Sequence, residues 1–180
     1  MLTMTENDLI EGCLAGERAA QRDLYERYKR AMYSLCYRIT GDHAVAADVL
    51  QDAFIKVFKH LDRFRRESTL GAWIKTIVVR TAYSQLRKQK RMPTEDIEEV
   101  DPNAYIDWGP GHLDAEYLER AILALPEGYR AVFVLIEVEG YGHKDVAKLL
   151  GISEGTSKSQ LYHAKKRLRA TLRDAGLTDR

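Results

Sequence analysis

Apolar residues recur at intervals of three and four along most of this chain, which is the spacing of an α-helix with one buried face. The alternating pattern of a half-buried strand is nearly absent. In the N-terminal half the pattern predicts four helices: one capped by Thr5, a long one from Glu17 to Thr40 closed by Gly41, one starting at Asp42, and one capped by Ser68 or Thr69. The sequence therefore predicts an all-α fold.

A second helical unit begins near Leu113 and carries a helix-turn-helix pattern. Gly151 can adopt the left-handed conformation that ends a helix, and Ser153 can cap the next one. Between Glu154 and Asp174 there are six Lys or Arg residues and no acid. A capped basic helix braced by a shorter helix is typical of a protein that enters a DNA groove.

Between these units the helical pattern stops. Residues 92–112 contain three of the four prolines, and the segment from Met92 to Glu119 holds nine acids and no Lys or Arg. This composition predicts a flexible acidic linker that avoids DNA. We therefore expect two small helical domains, residues 1–91 and 113–180, joined by a linker at 92–112.

The distribution of charge supports DNA binding more than its sum does. The net charge of the 180 residues is only +1, but residues 80–91 hold five basic residues and no acid, and the C-terminal helix is basic again. Two basic blocks separated by an acidic one indicate two DNA-facing surfaces.

Other classes of protein are disfavoured by what the sequence lacks. No apolar run approaches the roughly 18 residues that span a bilayer, and the acidic N-terminus has no signal-peptide pattern, so we expect a cytoplasmic protein. We expect Cys13 and Cys36 to be buried thiols that pack in the core. The five histidines show no metal-ligand spacing, and no catalytic arrangement or phosphate-binding loop stands out. We expect neither an enzyme nor a cofactor.

Several blocks of sequence, in a fixed order, carry a resemblance to a known family. The N-terminal blocks are Leu24–Tyr28, Ile39–Asp42, Ala47–Phe58, Leu61–Thr69 and Ala72–Ile74, and the C-terminal ones are Ala124–Glu127, Glu137–Tyr141 and Ile152–Thr156. With this linker between them, the chain resembles a bacterial RNA polymerase sigma factor of the extracytoplasmic-function type. The resemblance implies a protein that binds core RNA polymerase and directs it to promoters with minus-ten and minus-thirty-five elements.

The helix that begins at Asp42 has a polar stripe beside its apolar face, which is suited to docking a partner helix. The resemblance implies that this partner is the coiled-coil clamp of the polymerase's largest subunit. The predicted polymerase contacts are Asp48, Gln51, Asp52, Phe54 and Lys56.

The segment from Leu61 to Leu86 is the candidate for promoter opening, because aromatic and cationic side chains can hold unstacked bases and their phosphates. The resemblance implies contact with the minus-ten element of the non-template strand, for which the candidates are Phe64, Arg65, Ser68, Trp73, Lys75, Arg80, Ser84 and Arg87. Trp73 also fits the apolar core. The family often has Asn where this chain has Arg80 and Asp where it has Ser84, so the preferred minus-ten sequence can differ.

On the helix that follows Ser153, one face is apolar and the other is turned outward, and the resemblance implies that the outward face reads the groove of the minus-thirty-five element. The candidates on the second face are Thr156, Lys158, Ser159, Gln160, Tyr162, His163 and Lys166. The family often carries Arg at the positions of Gln160 and His163. Replacing Arg removes bidentate guanine readout, whereas Gln can address adenine.

Three alternatives remain open at this stage. A conventional regulator would bind its operator tightly without polymerase, through a self-complementary dimer. An all-helical enzyme with a DNA-binding tail would need paired catalytic groups in residues 1–90. An interaction module would bind polymerase or another sigma factor without reading DNA. The resemblance also implies restraint by an anti-sigma protein.

Overall fold

The computed structural model describes residues 4–89 and 115–176. The chain divides into two compact units, Met1–Gln85 and Leu86–Arg180, and the division falls within the last turn of the fourth helix. Each unit is built from helices alone within the described ranges, which confirms the predicted all-α class. The predicted linker, residues 92–112, lies outside the described residues.

The first unit contains α1 (Glu6–Leu14), α2 (Arg18–Thr40), α3 (His43–His60) and all but the last turn of α4 (Leu70–Gln89). A 3₁₀ turn, Leu61–Arg63, follows α3 directly. The predicted caps are confirmed, since the Thr5 side chain accepts from the Asp8 amide, Asp42 accepts from the Val45 amide, and Gly41 ends α2 with a φ of 72°.

The core of the first unit is formed by the apolar rows that the sequence pattern predicted. Its fully buried side chains include Leu9, Leu24, Leu35, Leu70 and Ile74. The α1 and α2 backbones approach closely at Gly12, where an added Cβ would lie 2.6 Å from the Ala20 Cβ. This close contact fixes α1 against the longer helix.

The second unit contains α5 (Ala115–Leu123), α6 (Glu127–Phe133), α7 (His143–Leu150) and α8 (Glu154–Asp174). After Phe133 the helix continues as a π-helical turn, Val134–Val138, which the sequence pattern did not reveal. The wider turn is visible in the bond from the Glu139 amide to the Val134 carbonyl. Leu161, Ala164, Leu168 and Leu172 of α8 are buried, as predicted.

A buried arginine joins α5 to α6. Arg130 is 5% exposed, and its guanidinium donates to the carbonyls of Leu123 and Leu125 at 2.7 and 3.0 Å. The Leu123 carbonyl belongs to the last residue of α5, and the Leu125 carbonyl lies in the turn before α6. Carbonyls at the end of a helix have no following helical amide to bind. Burial lowers the pKa of Arg130, and the nearby Glu127 opposes that shift. Arg130 thus replaces the missing backbone donors.

The cysteines fit their predicted role as packing thiols. Both Cys13 and Cys36 are buried and free. Burial raises the pKa of Cys36 to about 12, so its thiol stays protonated. Within residues 4–89 and 115–176, no helix is long and apolar enough to cross a bilayer.

Candidate polymerase and nucleic-acid interfaces

The α3 helix presents an exposed face with an apolar centre. Asp48, Gln51 and Asp52 are exposed, as the sequence pattern predicted. Ile55 lies among them at helical spacing and is 58% exposed. Ile55 was not among the predicted contacts, although its separation of three and four residues from Asp52 and Gln51 places it in the same stripe. An exposed branched side chain ringed by polar groups is suited to protein contact.

Two predicted members of this face have other roles in the structure. Phe54 is 3% exposed, and its ring meets the Tyr25 ring edge-on with centroids 4.9 Å apart. The prediction that Phe54 contacts the polymerase is therefore corrected: its ring packs in the core between α2 and α3. The Lys56 ammonium donates to the Thr81 hydroxyl at 3.1 Å, so this exposed side chain also ties α3 to α4.

The loop between the 3₁₀ turn and α4 borders an open cavity of about 360 Å³. Phe64 and Ser68, both predicted minus-ten contacts, line it, as do Arg66, Glu67 and Thr69. The remaining walls come from α1 and are supplied by Glu6, Asn7 and Ile10. No residue of α1 was predicted to line this site, because nothing in the local pattern of α1 shows that it meets the loop.

The loop is held in one conformation by contacts at both of its ends. Arg66 has a φ of 58°, which is unusual for a residue with a side chain. Its guanidinium donates to the Asn7 side-chain oxygen at 3.0 Å. At the other end, the Thr69 hydroxyl accepts from the Ala72 amide, and the Glu6 carboxylate accepts from the Leu70 amide, both at 3.2 Å. These contacts define the shape of the cavity.

The Trp73 side chain is neither fully buried nor fully exposed. It is half-buried, and its ring is tilted by 46° against the Phe64 ring with centroids 5.4 Å apart. The Phe64 side chain is itself half-buried and reaches the cavity. This pair places aromatic surface near the start of α4, and the contact of Trp73 with minus-ten DNA stays a prediction.

The predicted polar and cationic residues of α4 lie largely in solvent. Arg80, Ser84 and Arg87 are exposed and separated by four and three residues, so they share one face of the helix. Arg65 in the preceding loop is exposed as well, whereas Lys75 is half-buried. The structure thus brings Arg80, Ser84 and Arg87 together in one row, while the Arg66 guanidinium is engaged by Asn7.

In the second unit, α7 and α8 form the predicted helix-turn-helix. Gly151 ends α7 with a φ of 69°, and the Ser153 hydroxyl accepts from the Thr156 amide at 2.9 Å. Thr156 is half-buried beside this cap, and its hydroxyl lies 2.8 Å from that of Ser153. Both predicted local signals are confirmed.

The outward side chains of α8 form a mixed cationic and aromatic surface. Lys166 is exposed, and Lys158 pairs with Glu154 one turn earlier at 3.4 Å. Tyr162 and His163 are half-buried, with ring centroids 5.5 Å apart. His163 also stacks on Tyr129 of α6, at 5.7 Å. Tyr129 was not predicted as part of this surface, because its partner His163 lies on a different helix.

Two predicted α8 contacts do not present their polar atoms to solvent. Ser159 is 7% exposed and its hydroxyl donates to the Thr156 carbonyl at 3.2 Å, so its prediction as a DNA contact is corrected. The side-chain oxygen of Gln160 is buried, and it has no hydrogen-bond partner in the part of the chain that the structure describes. In this conformation that oxygen is not presented to a base edge.

A further polar contact joins the two helices of the motif. The His143 Nδ1 lies 2.9 Å from the hydroxyl of Ser157, which is completely buried. Burial lowers the pKa of His143, and the nearby charge of Lys158 lowers it further. Lys165 of α8 forms an ion pair with Glu137 of the π-helical turn at 2.6 Å. No group of three metal-ligating side chains is found among residues 4–89 and 115–176.

Comparison with known proteins identifies relatives of both units. The model of sigma-70 region 2 matches residues 24–92, and that of sigma-70 region 4 matches residues 115–168. The ECF RNA polymerase sigma factor SigM of Mycobacterium tuberculosis is 32% identical over 164 residues, which cover 91% of this chain and 83% of SigM. The ECF RNA polymerase sigma-E factor of Escherichia coli K12 is 29% identical over 175 residues, covering 90% of this chain and 91% of that factor.

A solved structure is similar as well. The sigma factor RpoE of Bartonella quintana, in complex with the anti-sigma factor NepR, superposes with a TM-score of 0.59 and 28% sequence identity. The match covers 84% of this chain and 96% of that one.

Proposed function

The chain belongs to the extracytoplasmic-function sigma factors of RNA polymerase, and from this premise we propose how its residues divide the work of promoter recognition. As a sigma factor it is not an enzyme: it binds core RNA polymerase and directs transcription from specific promoters. The first unit docks on the polymerase and captures the opened minus-ten element. The second unit reads the minus-thirty-five duplex.

The observation that carries the proposal is the preformed cavity beside α4. Bases of a separated strand expose faces that stack on aromatic rings, at about 1–3 kcal/mol per base. Phe64 reaches the cavity and Trp73 packs behind it, while Arg80 and Arg87 lie in solvent further along α4. This arrangement offers a base pocket followed by a cationic row for the phosphates of a single strand.

Core binding is assigned to the exposed face of α3. Ile55 supplies the apolar contact, and Asp48, Gln51 and Asp52 surround it with polar groups that fix the orientation of a partner helix. Because Phe54 is buried, it supports this face from beneath and does not touch the polymerase. The clamp of the largest polymerase subunit is the proposed partner.

For the minus-thirty-five element we propose that α8 enters the major groove with Lys158, Tyr162, His163 and Lys166 outward. Lys166 is the most accessible of these, and the N-terminus of α8 adds backbone donors for a phosphate. The two DNA surfaces are small, so each binds weakly alone. Holding both units on one polymerase raises their effective concentration on the two promoter elements.

We also propose regulation by an anti-sigma protein, since the similar RpoE of Bartonella quintana was solved with its anti-sigma factor NepR. The cytoplasm, where polymerase and promoter DNA meet, is the proposed place of action. The domain limits 1–91 and 113–180 remain the proposed division of these tasks.

The test is reconstituted transcription with core polymerase over a pool of upstream sequences. The protein should produce initiation at promoters that share two spaced elements. Asp52→Lys should lower core binding at least tenfold, measured directly with labelled protein, and abolish this initiation. Asp23→Lys reverses an exposed charge on α2 and serves as the matched control. Absence of selective initiation, together with tight operator binding by the protein alone, would support a conventional regulator instead.

A further inference from the structure

Side chains of α6 and α8 form an aromatic and cationic stack beside the outward face of α8. The Tyr129 ring of α6 stacks on the His163 ring with an interplanar angle of 20°, and the Arg167 guanidinium carbon lies 5.4 Å from the centroid of the same tyrosine. We propose that Arg167 is a further phosphate-binding residue of α8 and that Tyr129 is its positioning residue. The inference rests on the proposed function of α8 as the reader of the minus-thirty-five duplex.

The charge of Arg167 is available to an external anion. Two other cations of α8 are paired with carboxylates, Lys158 with Glu154 at 3.4 Å and Lys165 with Glu137 at 2.6 Å. Arg167 is exposed, and within residues 115–176 its guanidinium forms neither an ion pair nor a hydrogen bond. A planar guanidinium with five donors is suited to a phosphate, which it can bind through two parallel hydrogen bonds.

The position of Arg167 along α8 favours the DNA backbone over a base. The N-terminal residues of a recognition helix contact base edges. Arg167 comes thirteen residues after Glu154, the first residue of α8, which is about 20 Å along the helix axis. The major groove is only about 12 Å wide. A side chain this far along the helix lies at the level of the groove rim, where it meets phosphates, so its contribution should be the same for every upstream sequence.

Tyr129 restrains Arg167 before DNA is bound. An arginine side chain has many rotamers in solution and loses this freedom on binding. A guanidinium held over an aromatic ring by cation–π attraction has already lost part of that freedom, while its N–H groups can still donate to a phosphate. His163 and Arg167 are four residues apart, so one ring contacts two successive turns of α8.

The ring of Tyr129 has a rigid support. Tyr129 is half-buried and directly precedes Arg130, whose buried guanidinium binds the carbonyls of Leu123 and Leu125. The backbone of α6 is therefore tied to the end of α5 at the point where the tyrosine leaves it. From this fixed position the ring can hold Arg167 in place.

The experiment uses the full chain with core polymerase and duplex promoters that differ in the upstream element. Promoter affinity is measured over a range of salt concentrations, together with core affinity and the stability of the second unit by amide exchange. Arg167→Gln should weaken binding to every upstream sequence by about threefold to tenfold and reduce the slope of log affinity against log salt by about one. Core affinity and stability should not change.

Arg120→Gln is the matched control. Arg120 is also exposed and also lies over a tyrosine ring, that of Tyr117 at 5.7 Å, but both residues belong to α5. Its loss should leave promoter affinity and the salt slope unchanged. If Arg120→Gln and Arg167→Gln reduced the slope equally, the slope would report only the total charge of the unit, and the role of Arg167 would be overturned.

Tyr129 is tested with two substitutions. Tyr129→Phe keeps the ring and should retain promoter affinity, whereas Tyr129→Leu removes the ring and should weaken binding about threefold. In a chain that already carries Arg167→Gln, the effect of Tyr129→Leu should be markedly smaller, because no guanidinium remains to be positioned. Equal impairment by the two substitutions, or a full additional loss in the double variant, would show a merely structural role for Tyr129 and overturn its part of the inference.

Failure of the underlying function has a different signature. If promoter binding by the unaltered protein does not depend on the upstream duplex, α8 does not read it, and both proposals fall. Lys166 supplies the comparison, since it is exposed beside Arg167. If Lys166→Gln reduces the salt slope and Arg167→Gln does not, the proposed function of α8 stands and the role of Arg167 is overturned.

Discussion

The cavity of the first unit and the helix-turn-helix of the second are built in opposite ways. The two sides of the cavity are joined by hydrogen bonds that Arg66 donates to Asn7 and the Leu70 amide donates to Glu6, between residues 59 and 64 positions apart. The turn of the helix-turn-helix is fixed by contacts between residues at most 14 positions apart, such as that between His143 and Ser157. Longer-range contacts, to Tyr129 and Glu137, hold α8 further along its length. The first site therefore depends on how a whole unit packs, and the second on the chemistry of neighbouring turns.

The largest predicted loss of stability follows removal of the buried guanidinium in the second unit. Arg130→Met should destabilise this unit by about 3 kcal/mol, because the carbonyls of Leu123 and Leu125 would lose a charged donor inside the protein. Amide hydrogen exchange, read separately for each unit, measures the effect. Arg173→Met, at an exposed position, should change stability by less than about 0.5 kcal/mol. Equal effects of the two changes would show that Arg130 has no special structural role.

A matched pair of glycine substitutions compares the two units directly. Gly12→Ala should destabilise the first unit by about 1–3 kcal/mol, since the new Cβ would lie 2.6 Å from the Ala20 Cβ and push α1 away from α2. Gly155→Ala should be neutral or stabilise the second unit by up to about 1 kcal/mol, because its nearest neighbour, the Ser153 hydroxyl, is 3.7 Å away.

Urea denaturation with exchange readout in each unit measures both substitutions. If Gly12→Ala left the stability of the first unit unchanged, the close packing of α1 against α2 at this position would be contradicted.

A smaller effect is expected when the cap of α8 is removed. Ser153→Ala should lower the stability of the second unit by about 1 kcal/mol, because the Thr156 amide loses its acceptor. Ser153→Asp keeps an acceptor at this position and should restore most of the loss. Thermal unfolding of the three proteins measures the change in stability. If Ser153→Ala also lowered the stability of the first unit, the cap would not be a local contribution to the second unit.

The smallest effect should be a pH dependence at the His143–Ser157 contact. Since the pKa of His143 is lowered in the folded protein, the unfolded chain binds a proton more readily between the two pKa values. The contribution of His143 to stability is therefore complete above its ordinary pKa of 6.5 and declines as the pH falls below it. Glu137 and Glu154 oppose the shift, whereas Lys158 and Lys165 promote it.

His143→Gln should show less loss of stability than the unaltered protein when the pH falls from about 7.5 to about 5.5. Hydrogen exchange in the second unit at the two pH values detects the difference. An identical pH response in both proteins would place the origin of the dependence elsewhere.

The same contrast explains what the sequence could predict. The helix order and the caps at Thr5, Asp42 and Ser153 follow from local spacing and turn chemistry, and the structure confirms them. The exposure of Ile55 on this face could also have been predicted, because Ile55 shares the helical period of the predicted polar stripe. The surroundings of Glu6 and Asn7 were not, since no local pattern shows which distant loop α1 will meet.

The errors have the same physical origin. Phe54 was assigned to a surface because its neighbours in sequence are polar, but the helix turns its ring toward Tyr25. Ser159 occupies the outward side of α8 by helical spacing, yet its small side chain is almost completely covered. Periodicity gives the direction of a side chain, and only the packed structure gives its surroundings.

The π-helical turn at Val134–Val138 bears on how relatives of this chain should be aligned. A π turn holds one residue more than the α-helix it interrupts, so removing one residue leaves both flanking segments helical. The deletion would convert this turn to α-helical geometry and change the position of Glu137, which lies inside it and pairs with Lys165. A one-residue gap at this position in the alignment of a relative therefore indicates that the ion pair between Glu137 and Lys165 is altered while the fold is retained.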